Sequence, residues 1–295
     1  MKIKNLVKIL LVGLCTHSFA TSTGSNGQTL GKPISGEVKA SDVAGSRIAT
    51  SVNTTGGRFT INNATPLSVE LLDKCWEKRE NLANQKIIAN YLMHQPKVAN
   101  DFETAWKTAR LVYFIGNYGY GEKMFVDTKA GVTLFNYGAE AGKIAYKLEP
   151  SKVEGYYWYA IDLGSYGLAK GILSAAANSG DGMDALKKAK AIDPMYHWSG
   201  SSRILGRYYQ ELPGLFGGSN KKAIELFKNT TEQSPEFDNN WLFLGRFYMN
   251  DGNYKEALDS CTKALDISPV DGKFEEMRYK REAKECITKA KGKLS

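Results

Sequence analysis

The stretch from Asp238 to Pro269, DNNWLFLGRFYMNDGNYKEALDSCTKALDISP, decides how the rest of the chain is read. Its apolar residues recur at three- and four-residue spacing without period-two alternation, which predicts two amphipathic helices and no strand. Relative to Trp241, the residues Leu244, Gly245, Tyr248, Ala257, Cys261, Ala264 and Pro269 fall at +3, +4, +7, +16, +20, +23 and +28. Trp241, Leu244 and Tyr248 share one stripe of the first helix, and Ala257 and Ala264 let the second helix approach. Gly245 removes a side chain at the crossing, and Pro269 stops the second helix.

Those eight positions match the register of the tetratricopeptide repeat, W-x2-L-G-x2-Y…A-x3-F…A…P, with Cys261 in place of the aromatic. Counting back by terminating prolines gives Pro96, Pro150, Pro194, Pro235 and Pro269, at intervals of 54, 44, 41 and 34, so only the last unit has the standard length. Each earlier unit keeps recognisable first-helix residues: Trp106 and Tyr113; Leu163 and Gly164; Leu205, Gly206 and Tyr209. The excess is assigned to elongated inter-helix turns in GNYGYGEKMFVDTKAG (116–131), LAKGILSAAANSGDG (168–182) and QELPGLFGGSN (210–220). The run 273–293 has apolar residues at Phe274, Met277, Ala283, Ile287 and Ala290 amid dense charge, and reads as a solvating cap on the last repeat. The expected fold is all-α: a tetratricopeptide-like helical-hairpin solenoid over 66–295 with a C-terminal capping helix.

Residues 1–20, MKIKNLVKILLVGLCTHSFA, have a Lys-rich start, a short apolar run and a small-x-Ala end, the pattern of a bacterial export signal cut after Ala20. The chain is therefore expected to be exported or periplasmic, with lipid anchorage through Cys15 as the alternative; Leu14 is large for the position before a lipidated Cys. Residues 21–65 are rich in Ser, Thr, Gly and Asn, too poor in large apolar groups to offset their ordering entropy, and read as a flexible tether. Within it, GEVKA and RFTIN carry a weak strand pattern. The formal charge of +8 falls to about +5 once Lys2, Lys4 and Lys8 leave with the signal. No clustered basic face remains, which argues against nucleic-acid binding.

The segment LPGLFGGSNKKAIELF (212–227) raises the question of a phosphate-cradling loop. It lacks G-x-x-x-x-G-K-[ST] and no strand precedes it, so it reads as a turn in which Ser219 caps the helix carrying Ala223, Ile224 and Phe227. With EGYYWYAIDLGSYG before it and the 238–269 repeat after it, this segment resembles the T-component of tripartite ATP-independent periplasmic (TRAP) transporters, over about residues 89–287. The resemblance implies an exported solenoid of degenerate tetratricopeptide units with a trimeric tendency and a pore or groove for apolar ligands. It also implies association with a periplasmic solute-binding protein.

Nothing marks an enzyme. His94 and His197 lack partners at metal-ligand spacing, no nucleophile motif occurs, and a lone His beside Met93 or Trp198 is ordinarily a packing or capping residue. Glu275-Glu276 reads as solvated helix-face charge, and NSGDGMD lacks the ligand spacing of a calcium loop. No cofactor or metal is expected. After loss of Cys15, Cys261 and Cys286 are the one plausible disulfide pair, but buried reduced thiols at Cys75, Cys261 and Cys286 are favoured.

Binding is the better reading, because stacked hairpins line a concave surface with their first helices. In the repeat register the concave positions include Asn239, Phe243, Arg246 and Asn250, then Arg203, Arg207 and Gln210, then Trp158, Asp162 and Ser165. Arg207 and Arg246 occupy the same position in successive units, where two guanidinium groups suit a carboxylate or a peptide terminus while Trp158 and Phe243 supply apolar contact. The alternative is that both arginines pair with nearby acids. The aromatic run Tyr156-Tyr157-Trp158-Tyr159, with Tyr113, Tyr118, Tyr120 and Tyr166, is expected to divide between core and a channel or subunit contact. Two functions follow: an accessory of solute uptake, as the resemblance implies, or an interaction scaffold in envelope assembly or secretion.

Overall fold

The structure is a computed structural model, and it describes residues 59–95, 97–98, 100–118 and 129–295. The export signal, Cys15, Ala20, Pro96, Tyr120 and most of the 116–131 turn lie outside the described residues. Those residues hold eleven α-helices and no strand: α1 (Val69–Glu77), α2 (Leu82–Met93), α3 (Phe102–Tyr118), α4 (Lys129–Leu148), α5 (Val153–Lys170), α6 (Ile172–Ile192), α7 (Tyr196–Glu211), α8 (Asn220–Gln233), α9 (Asp238–Asp251), α10 (Tyr254–Asp266) and α11 (Lys273–Leu294). None of these helices is long and apolar enough to cross a membrane.

Local chemistry starts several of them. Ser68 Oγ accepts the Leu71 N–H at the head of α1, Asn81 Oδ1 accepts from Ala83 and Asn84 at α2, and Ser219 Oγ accepts from Lys222 at α8. The diagnostic hairpin is α9–α10. Leu244, Ala257 and Ala264 are buried in it, and Trp241 donates its indole N–H to the Pro235 carbonyl at 2.9 Å. A Cβ on Gly245 would run into Cys261 Sγ, with the Cys261 nitrogen at 3.1 Å and the Ala257 carbonyl oxygen at 3.3 Å. Gly245→Leu is therefore expected to cost about 1–3 kcal/mol through overpacking. Unchanged thermal melting of that variant would remove the basis for the crossing.

Consecutive helices pair into a succession of hairpins: α3 with α4, α5 with α6, α7 with α8 and α9 with α10. The tightest crossing is α4 on α5, where Gly142 meets the backbone of Tyr159. Three sequence expectations change. Residues 168–182 are not an elongated turn: a single break at Gly171, with φ +114°, separates α5 from α6, and α6 runs helically through the alanines and NSGDGMD. The helices absorb the extra length because Ala175–Ala177 favour helix and Gly167 lets α6 approach α5 at Ala175. The 212–219 turn is elongated as expected, with a 3-10 turn over Gly214–Phe216 and Gly217 at φ +89°. Its tip does not fold back, since Leu215 is 89% and Phe216 49% exposed.

The second change is at the N-terminal edge of the domain. Phe59 is buried in the core, the Thr65 carbonyl accepts from Tyr91 Oη at 3.0 Å, and the Asn63 carbonyl accepts from Gln95, so 59–65 pack on α2 although the composition places them in the tether. Phe59, Thr60, Ile61 and Asn62 form no strand. The third change concerns cysteine. Cys261 and Cys286 form a disulfide between α10 and α11, with Cα atoms 6.2 Å apart, in place of the favoured free thiols; Cys75 is free and buried.

One core cluster joins both ends of the described helical domain. Leu71, Ile88, Phe114 and Phe135 from α1–α4 belong to the same buried cluster as Phe237, Leu242, Tyr279 and Ala283 from the last repeat and α11. The C-terminal helix is thus more than a solvating cap. It packs on α10 and α9 and reaches α3, where the Tyr118 and Tyr279 hydroxyls meet at 2.9 Å and Arg278 lies on the Asn117 carbonyl at 3.4 Å.

Candidate functional site

The concave face of the hairpins and the inner side of α11 enclose a cavity of about 1820 Å3. Its aromatic wall includes Tyr113, Tyr118, Trp158 and Phe243, and its apolar wall Ile161 and Leu163. Of the concave positions read from the register, Trp158, Ser165, Arg203, Arg207, Asn239, Phe243 and Arg246 line this cavity. Gln210 and the exposed Asn250 stand outside the lining. Asp162 is fully buried on the opposite side of α5, where its carboxylate faces Gly138 and Val112; burial raises its pKa well above the ordinary value. The repeat register fails there because Asp162 turns toward α4, where Gly138 leaves room for its carboxylate.

The arginines cluster as the register implies. Arg207 and Arg246 both lie over the Phe243 ring, at 5.8 and 6.0 Å from its centroid. Arg246 Nη1 donates to Glu282 Oε2 at 2.9 Å, and Arg278 Nε donates to Glu282 Oε1 at 2.9 Å. Sequence reading missed Arg278 and Glu282, because which face of α11 turns inward depends on where that helix docks. Burial and the neighbouring Arg246 charge lower the Arg207 pKa, and burial raises that of Glu211. For Glu282 burial acts upward, but the Arg278 and Arg246 charges prevail and hold it below the usual carboxylate range. Three guanidinium groups thus face two carboxylates at one end of the cavity, a local excess of positive charge in a partly desolvated site.

Arg203 has a different role from the one its register position suggests. It is 2% exposed, and its Nη1 donates to the Trp198 carbonyl at 3.0 Å and to Asn240 Oδ1 at 2.7 Å. It fastens a backbone anomaly: His197, Trp198 and Ser199 carry φ values of 51°, 53° and 59°, three successive left-handed residues at the head of α7. Each costs roughly 1–2 kcal/mol for a side chain bearing Cβ. Several contacts hold the turn. Asn240 Nδ2 donates to the Trp198 carbonyl at 3.3 Å, the Ser199 and Ser234 hydroxyls meet at 3.1 Å, and Trp198 stacks on Phe237 at 4.7 Å. The His197 ring sits 3.2 Å from Tyr157 Oη, and burial together with the Arg203 charge lowers its pKa to about 3.

A second, smaller cavity lies behind this turn, lined by Trp76, Arg79, Trp106, Arg110 and Trp198 among others. Its arginines are stacked on the indoles: Arg79 and Arg110 stand 3.9 and 4.0 Å from the Trp76 ring centroid, and Arg110 also lies 4.8 Å from that of Trp106. The aromatic run divides in burial but not by the expected rule: the buried Tyr118, Tyr157 and Trp158 line the large cavity with the half-buried Tyr113, whereas the partly exposed Tyr156 and Tyr166 do not. His94 ends α2, its Nδ1 2.7 Å from the Asn90 carbonyl oxygen. Among the described residues no group of three or more His, Cys, Asp or Glu is arranged to hold a metal.

Glu275 is not the solvated helix-face charge that its sequence context implies. It is 4% exposed, in a seam between the start of α11 and the α1–α2 connection.

Two family models match the chain. The family model described as regulator of microtubule dynamics protein 1-3 matches residues 69–216, and a tetratricopeptide repeat model matches residues 239–271. No curated protein sequence matches the chain. Among solved structures, a thermophilic TPR protein of Thermus thermophilus is 20% identical, with 72% of this chain and 96% of that one covered and a TM-score of 0.49. MamA is 22% identical, with 71% and 97% covered and a TM-score of 0.40.

Proposed function

We propose, for a chain that belongs to the family described as regulator of microtubule dynamics protein 1-3 and carries a tetratricopeptide repeat beside the matched region, a non-enzymatic function as an interaction scaffold. The observation that carries this reading is the cluster of Arg207, Arg246 and Arg278 at one end of an aromatic-walled cavity. Guanidinium groups in that setting suit a carboxylate, and a partner's chain terminus presents one at the end of an extended segment. The adjoining Phe243 and Trp158 then take apolar side chains.

A second reading follows from α11, which lies along the concave face and leaves less open groove than a peptide scaffold offers. A small apolar carboxylate fits such a space, and the chain would then act as an accessory, T-component-like subunit of TRAP-type uptake with a periplasmic solute-binding partner. Export by residues 1–20, or anchorage through Cys15, and a homotrimer belong to this reading.

Native mass spectrometry of protein purified from its own envelope separates the two. A peptide tail on a monomer favours the scaffold; a trimer holding an apolar acid favours uptake. In either case Arg207→Glu with Arg246→Glu is expected to weaken binding of the co-purified molecule at least tenfold, measured by titration calorimetry. Binding that survives both reversals sinks the groove assignment.

A further inference from the structure

We infer that the first half of α11 is a pH-dependent latch on the cavity, closed while Glu275 is protonated beside Glu80 and released when Glu275 ionises. The geometry begins at Gly272. A Cβ there would strike Glu80 Oε1, Glu275 Oε2 at 2.6 Å and Arg79 Nη2 at 2.9 Å, so two carboxyl groups far apart in sequence converge on one backbone point. Glu275 Oε2 and both Glu80 oxygens are buried without a hydrogen-bond partner among the described residues, and the contact of Glu80 with Arg79 is an ion pair at 3.3 Å. This seam joins α11 to the α1–α2 connection, and α11 walls the cavity through Phe274, Arg278 and Glu282.

The charges around Glu275 are few and mostly committed elsewhere. The α1–α2 connection contributes Arg79 and Glu80, Asp271 lies just before α11, and Tyr279 faces Glu275 from α11 itself; one step further out, Arg203 of α7 acts on Asp271 and Asp238, and Lys280 of α11 acts on Asp238 of α9. Arg79 stacks on Trp76 and donates to the Trp76 carbonyl at 2.9 Å. Arg203 holds the left-handed turn. Lys280 donates to the Ala264, Leu265 and Ile267 carbonyls that end α10, and stands 3.8 Å from Asp238. Of the charged groups that act on Glu275 itself, Asp271 and Glu80 oppose its ionisation and Arg79 alone favours it. An ionised Glu275 therefore adds a buried negative charge that faces Asp271 and Glu80.

Burial, reinforced by the Asp271 charge, raises the Glu275 pKa to about 8 in the closed form. In an open form the same carboxyl meets water and returns to the ordinary carboxylate range, so opening releases a proton. Between pH 6 and 8 the open population is therefore expected to rise about tenfold per pH unit, and to level off above about pH 8.

The test is amide hydrogen exchange of the full chain at pH 6, 7, 8 and 9, each rate corrected for intrinsic base catalysis. The expected result is loss of protection by up to about 100-fold across residues 270–280 between pH 6 and 8, with α10 unchanged. In Glu275→Gln this pH dependence disappears. In Glu80→Gln, which removes one facing charge, the plateau moves to lower pH; this variant serves as well if Glu275→Gln fails to fold. The latch is refuted by a flat profile in the native chain, by an undiminished slope in Glu275→Gln or an unmoved plateau in Glu80→Gln, or by α10 losing protection in parallel, which would be global unfolding.

Discussion

Lowering the pH from 6.5 to 4 is expected to remove about 3 kcal/mol of stability through His197 alone. The ring is neutral in the native state because it is buried and because Arg203 stands beside it, and its pKa falls from 6.5 to about 3. Native His197 thus resists a proton that the unfolded chain accepts readily. A group with a depressed native pKa contributes stability that is complete above the unfolded value and is lost as pH falls toward the native one, here between 6.5 and about 3. Glu275 and Asp238, with pKa values raised by burial to about 8 and about 6, act in the opposite direction, so the whole-protein curve blends both effects. The comparison that isolates His197 is denaturant unfolding of the native chain and His197→Asn at pH 7, 5.5 and 4. Asn tolerates the left-handed backbone and carries no titrating proton. Parallel stability curves would show that the ring does not titrate with unfolding.

Opening the Cys261–Cys286 disulfide is expected to cost about 3–4 kcal/mol, from the loop entropy restored to the unfolded chain when residues 25 apart in sequence are no longer joined. Both sulfurs are buried between α10 and α11, and the bond ties the wall of the cavity to the best-formed repeat. Denaturant unfolding of Cys261→Ala with Cys286→Ala should show this loss, and so should the native chain in a strong dithiol reductant. Equal stability of oxidised and reduced protein would mean that α10 and α11 are held by packing alone.

The contrast between legible and illegible features has a physical basis. The α9–α10 hairpin could be read because its defining contacts are local: Gly245 meets Cys261 and Ala257 of the same unit, and Trp241 reaches back six residues to the Pro235 carbonyl. The 212–219 turn was legible for a similar reason, since Pro213, Gly217 and the Ser219 cap act within a few residues. Residues 168–182 misled because glycines at 171, 180 and 182 weigh against helix in a window, while packing of Ala175 on Gly167 decides for it. The cavity was half legible. Repeat register places Arg207 and Arg246 together, but Arg278, Glu282 and Glu275 become site residues only when α11 docks across the concave face, a contact that no local pattern encodes. The left-handed turn at His197–Ser199 leaves no trace either, because its favourable terms come from Arg203, Asn240 and Phe237 on other elements.

The meeting of Tyr118 with Tyr279 also bears on the order of assembly. Solenoids ordinarily fold by nearest-neighbour zipping, so that early units can be complete before later ones exist. Here a contact spanning 161 positions joins α3 to α11, and it carries a loop-closure cost that neighbouring hairpins do not. During synthesis the hairpins from α3 to α10 can stack as they emerge, with their inner face open to water and to any chaperone. Only the arrival of α11 adds the wall that carries Arg278 and Glu282. Until that last helix docks, the arginines of the earlier hairpins stand without the carboxylate that joins them in the finished site.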